Sequence, residues 1–322
     1  MARCTISFGA NIGNAAATVR RAADRLQQEL CPDQASHFRL SALYETPPVG
    51  GPGGQAPFVN AVAALETSAS PHEVWAAIRR IESELGRTRS QRWEARKIDL
   101  DILMYEDVRI WTPQLKIPHP RMCMRRFMLI PAREVAADMR DPVSGLTIQE
   151  LVQRLEERGP GIYLHARDPR SARSIARRLA HRDASQSPGT EASGAGGGIF
   201  VGGSGGWIHP VSTSPVWSAP SVPSSPLGND TATPPPFLHV VLCGEEAGQG
   251  TSPDRSTADP RSAVWETRCL DMARCLHLCP NGPGQDVLAG EPRYLLPADT
   301  LDWTLHELRA ALDAMTCPLS RL

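Results

Sequence analysis

Hydrophobic and polar positions follow two clear periods in the first half of the chain. After Asn14 and again after Ser70, apolar side chains recur every three or four residues, which predicts two amphipathic helices. Ser70, Pro71 and Glu73 supply the capping residues that open the second helix. Short apolar or alternating runs, typical of β-strands, occur at residues 5–8, 41–46, 58–66, 98–105, 108–111 and 127–130.

The first six of these elements follow one another in the order β-α-β-β-α-β. That order is typical of a ferredoxin-like α+β fold, in which helices pack on an antiparallel sheet. A second capping box, from Thr147 to Glu150, predicts a further helix. Towards the C-terminus, residues 237–243 and 293–296 predict strands and residues 301–315 predict a helix, so we expect a small α/β region there.

The segment between these regions has too little apolar surface to form a hydrophobic core. Residues 184–236 hold ten Gly, nine Pro and ten Ser, but only two charged side chains, Glu191 and Asp230. Because this composition offers too little apolar surface to offset the entropy of ordering, it predicts a disordered linker. We therefore divide the chain into a folded domain at 1–158, a basic strand and helix extension at 159–183, a linker at 184–236 and a small α/β region at 237–322.

Charge and composition exclude several classes of partner. Residues 1–183 carry 27 Lys and Arg against 21 Asp and Glu, which is too weak an excess to indicate bulk binding to nucleic acid. No stretch approaches the about 18 apolar residues of a membrane span, and the N-terminus has no apolar signal core. We expect a cytoplasmic protein that binds neither nucleic acid nor membrane. Cys269, Cys275 and Cys279 form no CxxC pair, which favours core cysteines over a zinc site.

The most informative chemistry lies on the strand predicted at 98–105. Residues two apart on a strand share a face, so Asp99 and Asp101 project together while Leu100 and Ile102 point into the core. Two neighbouring carboxylates repel each other unless a cation lies close to both. Magnesium takes carboxylate oxygens in octahedral geometry and keeps positions for water and substrate phosphates, so the pattern predicts a magnesium site.

Cationic side chains surround this pair in the sequence. Five precede it, namely Arg87, Arg89, Arg92, Arg96 and Lys97. Arginine forks suit phosphate oxygens, and phosphoryl transfer needs mainly positioning and neutralisation of charge. The alternative is a solvated network of ion pairs on an exposed face of the sheet.

A second cluster follows near residue 119. His119 lies in a turn between two prolines, and Arg121, Arg125 and Arg126 come soon after it. The alternative here is a capped turn followed by exposed basic residues. The glycines of residues 9–13 match neither the Walker loop nor the dinucleotide fingerprint, so arginines and metal would hold any nucleotide.

Taken in order, these motifs resemble the 6-hydroxymethyl-7,8-dihydropterin pyrophosphokinase family over residues 6–155. The matching segments are GANIG at 9–13, YETPPVG at 44–50, FVNAV at 58–62, GRTR at 86–89, RWEARKIDLDIL at 92–103, and IPHPR at 117–121 with Arg125 and Phe127. Six ordered motifs make the resemblance highly specific. It implies that the domain at 1–158 is a pterin pyrophosphokinase domain.

The resemblance also implies an activity, with its cofactors and site residues. The reaction would transfer pyrophosphate from ATP to the hydroxymethyl group of 6-hydroxymethyl-7,8-dihydropterin, releasing AMP in tetrahydrofolate biosynthesis, with two Mg²⁺ ions on Asp99 and Asp101. The implied catalytic residues are Arg92, Asp99, Asp101, His119 and Arg125. The implied pterin-binding residues are Thr46, Pro47, Val49, Phe58, Asn60, Trp93 and Phe127. The implied ATP-binding residues are Glu82, Arg87, Arg89, Arg92, Trp93, Arg96, Ile102, His119, Arg121 and Arg125.

Two alternatives stay open. The domain could be a catalytically idle pterin- or nucleotide-binding module that serves the C-terminal region. That region could itself bind an unknown protein partner, or be the remnant of a larger α/β domain. Intact Asp99, Asp101, Arg92 and His119 favour an active enzyme, because an idle site has no need of a carboxylate pair.

Overall fold

The structure is a computed structural model of the whole 322-residue chain. It describes residues 1–31, 37–50, 54–87, 96–166, 169–184, 199–201, 206–212, 237–243, 290–297 and 300–322. Two compact units account for these residues. Unit 1 contains Met1–Ile110, Gln114–Gln153 and Asp313–Leu322, and unit 2 contains Trp111–Pro113 and Arg154–Leu312.

Unit 1 is built on an antiparallel sheet. Its strands are β1 (Ala2–Ala10), β2 (Arg39–Leu40), β3 (Tyr44–Thr46), β4 (Phe58–Thr67), β5 (Asp99–Tyr105) and β13 (Ser320–Arg321). They are ordered β13-β3-β4-β1-β5, and β2 also pairs with β4. The element order and the antiparallel pairing agree with the predicted α+β class.

Two helices cover one face of this sheet, α1 (Ala15–Leu30) and α2 (Pro71–Glu84). Both begin where the sequence predicts. The Asn14 side chain accepts a hydrogen bond from the amide of Ala17, and Ser70 and Glu73 form a complete capping box. The apolar faces of these helices pack on alternate residues of β1, including Ile6 and Phe8, and so form the main core. This leaves the opposite face of the sheet for other contacts.

A third helix packs on that opposite face. Residues 127–130, predicted to form a strand, lie in α3 (Arg126–Ala136), which packs against β4. The strand prediction is wrong because four consecutive apolar residues fit a buried strand and a helix equally well. The longer spacing of Met128, Leu129, Ala132 and Val135, all buried, is the helical signal.

The strand predicted at 108–111 is shorter in the structure. The strand β6 (Ile110–Trp111) pairs with β7 (Lys116–Ile117) in a separate two-stranded sheet, not with β5. The turn that follows contains a cis peptide bond between Ile117 and Pro118. The capping box at Thr147 opens α4 (Ile148–Arg158) as predicted, with Glu150 and Thr147 exchanging hydrogen bonds.

Unit 2 contains a mainly parallel sheet. Its strands are β8 (Gly161–Ala166), β9 (Ile199–Val201), β10 (Gly206–Ser212), β11 (Leu238–Cys243) and β12 (Arg293–Pro297), in the order β12-β11-β8-β10-β9. Its helices are α5 (Pro169–Ala184) and most of α6 (Leu301–Thr316). Residues of these two helices line a cleft of about 770 Å³ that includes Arg170, Arg173, Arg177 and Arg178.

This division differs from the one the composition predicts. Within the segment expected to be a linker, β9 and β10 pair with each other, and β10 pairs with β8. Composition averaged over residues 184–236 conceals the short segments IFV at 199–201 and WIHPV at 207–211, which are richer in large apolar side chains and long enough for strands. The extension at 159–183 belongs to the same unit as β11 and β12.

Among the helices that the structure describes, none is long and apolar enough to cross a membrane.

Candidate functional site

The site of interest lies on the face of the unit 1 sheet opposite α1 and α2. There, one row of paired residues crosses the sheet: Asn60 on β4 pairs with Gly9 on β1, which pairs on its other side with Asp99 on β5. Directly paired residues in antiparallel strands share a face. Gly9 therefore lies between the amide of Asn60 and the carboxylate of Asp99. It has no side chain, and a Cβ at this position would lie 3.4 Å from the Asn60 Oδ1.

On the β5 side of the row, two arginines hold Asp99. Arg87 Nη1 lies 2.7 Å from Asp99 Oδ1, and Arg96 pairs with the other carboxylate oxygen. Arg87 also pairs with Glu82, whose Oε1 accepts a hydrogen bond from the Leu100 amide at 2.9 Å. These two acids and two arginines neutralise one another.

Burial sets the electrostatics of this network. It raises the pKa of Glu82, whose side chain is only 3% exposed, although Leu100 and Arg87 oppose that shift. Burial also lowers the pKa of Arg96, with the nearby Arg87 cation acting in the same direction. Burial is the main cause of both pKa shifts. Charges interact more strongly where water is excluded, so the charge of a bound phosphate or metal ion would act strongly on these groups.

Asp101 lies two residues further along β5 and is more open, with its side chain 41% exposed. The Nε2 of His119 is 3.9 Å from Asp101 Oδ2. Burial lowers the pKa of His119 to about 3, so the imidazole is neutral near pH 7 and this contact is not an ion pair. The amide of Arg121 donates to His119 Nδ1 at 3.1 Å, which leaves the proton on Nε2, facing Asp101.

The β4 side of the row is held by neutral groups. Asn60 Nδ2 donates to the hydroxyl of Thr46 at 2.8 Å, and both side chains are buried. Phe58 and Asn60 lie on the same face of β4 because they are two residues apart. At the start of α3, the Arg125 guanidinium lies 5.4 Å from the centre of the Phe127 ring. Phe58 and Phe127 are both half-buried.

One residue of the site was missed by the sequence reasoning. Asn11, at the end of β1, accepts a hydrogen bond from the Arg96 amide at 2.7 Å, and its own amide N–H donates to the Arg96 carbonyl at 3.0 Å. Its side chain also donates to the carbonyl of Ala56 at 3.3 Å. Asn11 thus fixes the backbone of Arg96. A polar residue between the glycines at 9 and 13 was the available signal.

The donor set of this face fits a hard divalent cation. Asp99 and Asp101 present carboxylate oxygens on one face of β5, and Asp101 is open to solvent. Magnesium needs only one or two protein carboxylates when phosphates and water complete its shell. The Arg87 and Arg96 contacts of Asp99 would have to be exchanged for such a cation.

The remaining predicted residues fall in three groups. Arg89, Arg92 and Trp93 lie outside the described residues. Ile102 is brought into the core beside α1 and α2, on the face away from Asp99 and Asp101. Of the other three, Pro47 is exposed, and Val49 and Arg121 are half-buried.

Comparisons with known proteins concern this same part of the chain. The family model of 7,8-dihydro-6-hydroxymethylpterin-pyrophosphokinase (HPPK) matches residues 5–137. A 2-amino-4-hydroxy-6-hydroxymethyldihydropteridine pyrophosphokinase of Bacillus subtilis (strain 168) is 40% identical over 149 residues, 46% of this chain and 87% of that protein. A protein of the same name from Methylorubrum extorquens is 36% identical over 159 residues, 49% of this chain and 97% of that protein.

Among solved structures, an HPPK-DHPS of Plasmodium falciparum matches with a TM-score of 0.35 and 14% identity. The match covers 55% of this chain and 53% of that one. The two bacterial proteins carry the assignment, since nearly their whole length aligns with this chain at 36% identity or more. On that basis, the chain belongs to the HPPK family.

Proposed function

We propose that this protein is a 2-amino-4-hydroxy-6-hydroxymethyldihydropteridine pyrophosphokinase of folate biosynthesis. It transfers the pyrophosphoryl group of ATP to the hydroxymethyl group of 6-hydroxymethyl-7,8-dihydropterin. The observation that carries the proposal is the row across the sheet, in which Gly9 separates Asn60 from Asp99. A flat heterocycle over Asn60 would then direct its substituent towards the carboxylates.

In this reaction the hydroxymethyl oxygen forms a bond to the β-phosphorus of ATP. The bond from that phosphorus to the oxygen it shares with the α-phosphate breaks, and AMP leaves. The proton of the hydroxyl group needs an acceptor, and the exposed carboxylate of Asp101 is the proposed one. Neutral His119 keeps a proton on Nε2, which would donate to a phosphate oxygen as charge develops there.

The bound metal would lower the pKa of the hydroxyl group and offset the charge of the phosphates. Asp99 and Asp101 are its proposed ligands, and two ions are the proposed number. When the triphosphate enters, Arg87 and Arg96 would turn from Asp99 to the phosphate oxygens. Glu82 would keep Arg87 close to the site throughout this exchange.

The pterin side is proposed to use both polar and aromatic groups. The Asn60 amide would hydrogen-bond the edge of the heterocycle, while Phe58 and Phe127 would contact its faces. Thr46, Pro47 and Val49 would line the rim, and Arg89, Arg92, Trp93, Arg121 and Arg125 are proposed for the nucleotide side, whereas the core position of Ile102 does not fit that role. The ferredoxin-like topology is likewise proposed, supported by the core strand order β3-β4-β1-β5.

Release of AMP tests the function directly. The whole chain, incubated with ATP, Mg²⁺ and the pterin, is expected to form AMP and pterin diphosphate in equal amounts. Omission of either the pterin or Mg²⁺ should abolish AMP formation. Pterin binding without AMP formation would instead support the catalytically idle module. The relatives are named as pyrophosphokinases, which does not favour that alternative.

Several predictions made from the sequence stay predictions. A protein partner for the C-terminal region, the absence of nucleic acid and a cytoplasmic location are expectations of that kind. Limited proteolysis followed by a pull-down with the region of unit 2 would test the first of them.

A further inference from the structure

The exposed side of α5, in unit 2, carries four arginines that have no part in the proposed function. Arg170, Arg173, Arg177 and Arg178 are all exposed, and their spacing places them on one side of the helix. The opposite side, which includes Ile175, is buried, and α5 packs against β8, β9 and β10. The arginines therefore lie on the side of α5 that faces away from the sheet.

Like charges repel each other along this side of the helix. Arg173 is three residues from Arg170 and four from Arg177, spacings at which side chains are neighbours, so their equal charges destabilise the helix. Within the part of the chain that the structure describes, the side chains of Arg173, Arg177 and Arg178 form no hydrogen bond or ion pair. A bound anion would offset this repulsion.

The four arginines line the cleft between α5 and α6. Its volume of about 770 Å³ is within the range of pockets that bind small molecules. On the α6 side, Leu301 and Leu305 give the cleft an apolar surface, and Asp302 contributes one carboxylate. With four guanidinium groups against one carboxylate, the lining of the cleft is positively charged.

A contact between the two helices holds the walls of this cleft together. Arg309 Nη2, one turn after Leu305 on α6, donates to the carbonyl of Leu179 at 3.3 Å, and Leu179 directly follows Arg178 on α5. All of these residues belong to unit 2. Because the two walls are already joined, a ligand would need to order little besides the arginine side chains.

The chemistry of the lining selects a class of ligand. Guanidinium forks bind phosphate oxygens through pairs of parallel hydrogen bonds, and several neighbouring forks suit a ligand with more than one phosphate. The leucines beside them suit an organic group of the same ligand. An extended nucleic acid would need a longer basic surface than this part of one helix.

We propose that the cleft between α5 and α6 binds a small organic ligand that carries at least two phosphate groups. The arginines of α5 hold the phosphates, and Leu301 and Leu305 contact the organic group. The site shares no residue with the one in unit 1, so the inference does not depend on the pyrophosphokinase activity.

Calorimetric titration of the whole chain with ADP tests the arginines. Mg²⁺ is left out, so that Asp99 and Asp101 repel phosphate at the other site. The double variant Arg173→Gln and Arg177→Gln should raise the Kd for ADP at least about tenfold, because charged hydrogen bonds to phosphate are lost.

The matched control for this loss of charge is the double variant Arg20→Gln and Arg21→Gln, at two exposed arginines of α1. It should leave the Kd within about twofold, and circular dichroism checks that both variants are folded. Equal weakening in both variants would show a general effect of charge and overturn the inference. An unaltered chain that binds no ADP would overturn it as well.

The other wall of the cleft gives a test in the opposite direction. Asp302→Asn should lower the Kd for ADP about three- to fivefold, because the carboxylate repels phosphate and competes for the arginines. An unchanged or higher Kd would contradict the proposed position of the phosphates.

Inorganic pyrophosphate, which has no organic group, separates the two parts of the site. Leu301→Ala should raise the Kd for ADP about three- to fivefold and leave that for pyrophosphate within about twofold. Equal effects on the two probes would refute the contact with the organic group. A single-stranded oligonucleotide that binds more tightly than ADP, and loses its binding in the Arg173 and Arg177 double variant, would assign the cleft to nucleic acid instead.

Discussion

The two sides of the row across the sheet are held by different forces. On the β4 side, the neutral side chains of Asn60 and Thr46 are joined by a hydrogen bond in a buried setting. On the β5 side, the arginines 87 and 96 are paired with carboxylates of the chain itself. The neutral side can receive a ligand without breaking any of these contacts. The charged side must exchange partners before it can bind phosphate and metal.

This difference suggests how one small site serves two unlike substrates. A heterocycle offers few charges, so its pocket needs fixed polar groups, whose orientation costs nothing at the moment of binding. A triphosphate brings charge of its own, so its pocket needs cations that are kept neutralised until it arrives. We therefore expect substitutions on the β4 side to change mainly the KM for the pterin, and substitutions on the β5 side to change mainly the KM for ATP.

The largest expected effect is that of Asp101→Ala. If Asp101 is the proton acceptor and a metal ligand, kcat should fall about a thousandfold with saturating Mg²⁺, since such interactions contribute several kcal/mol to the transition state. AMP release measures this fall. Asp107→Ala, at an exposed aspartate in the turn after β5, is the control. Near-normal turnover of Asp101→Ala would refute the role of Asp101.

Asn60→Ala should affect the neutral side alone. Loss of the amide leaves the pterin edge without its partner, and the expected rise in the pterin KM is about thirtyfold, while the ATP KM changes less than about twofold. Steady-state kinetics with each substrate varied in turn measure both constants. Equal changes in the two constants would show that the sides are not separable.

His119→Gln should alter how stability depends on pH. The folded state keeps His119 neutral down to about pH 3, whereas the unfolded chain takes up a proton below its usual pKa of about 6.5. The contribution of His119 to the free energy of unfolding is therefore complete above pH 6.5 and is lost as the pH falls towards 3. Between pH 7.5 and 5.5 the loss is about 1.4 kcal/mol.

Urea unfolding at these two pH values, in the original chain and in His119→Gln, measures that loss. The variant should show a smaller decrease in the free energy of unfolding on acidification. His72→Gln, at an exposed histidine of α2, is the control and should behave like the original chain. An identical decrease in all three proteins would rule out the buried, neutral state of His119.

The smallest effect is expected for Asn11→Ala. Its side chain fixes the Arg96 amide, so its loss should loosen Arg96 and raise the KM for ATP about three- to fivefold, with the pterin KM unchanged. Asn14→Ala, which removes only a helix cap at the start of α1, is a matched control. A larger effect on the pterin than on ATP would place Asn11 on the neutral side instead.

The sequence predicts most of the contacts between residues that are close in the chain, and few of those between residues that are far apart in it. The capping boxes at Ser70 and Thr147 and the alternation of Asp99 with Leu100 depend on neighbours in the chain, and each appears where its pattern predicts. The run at 127–130 fails because a helix and a buried strand share that pattern.

Contacts across large distances in the chain could not be predicted in this way. The pairing of Asn60, Gly9 and Asp99 depends on the register of three strands, and no local pattern fixes that register. The hydrogen bond between Asn11 and Arg96 and the pairing of Ser320 with Glu45 join residues 85 and 275 positions apart in the sequence. Their partners are set only by the folded sheet.

The position of β13 also has a consequence for synthesis on the ribosome. The edge of β3 is made early, but its partner strand is translated about 275 residues later. At about 5–20 residues per second, that edge stays unpaired for roughly 14–55 s. An open edge is a template on which other chains can pair. The nascent protein thus passes through a period in which premature association at this strand competes with completion of the sheet.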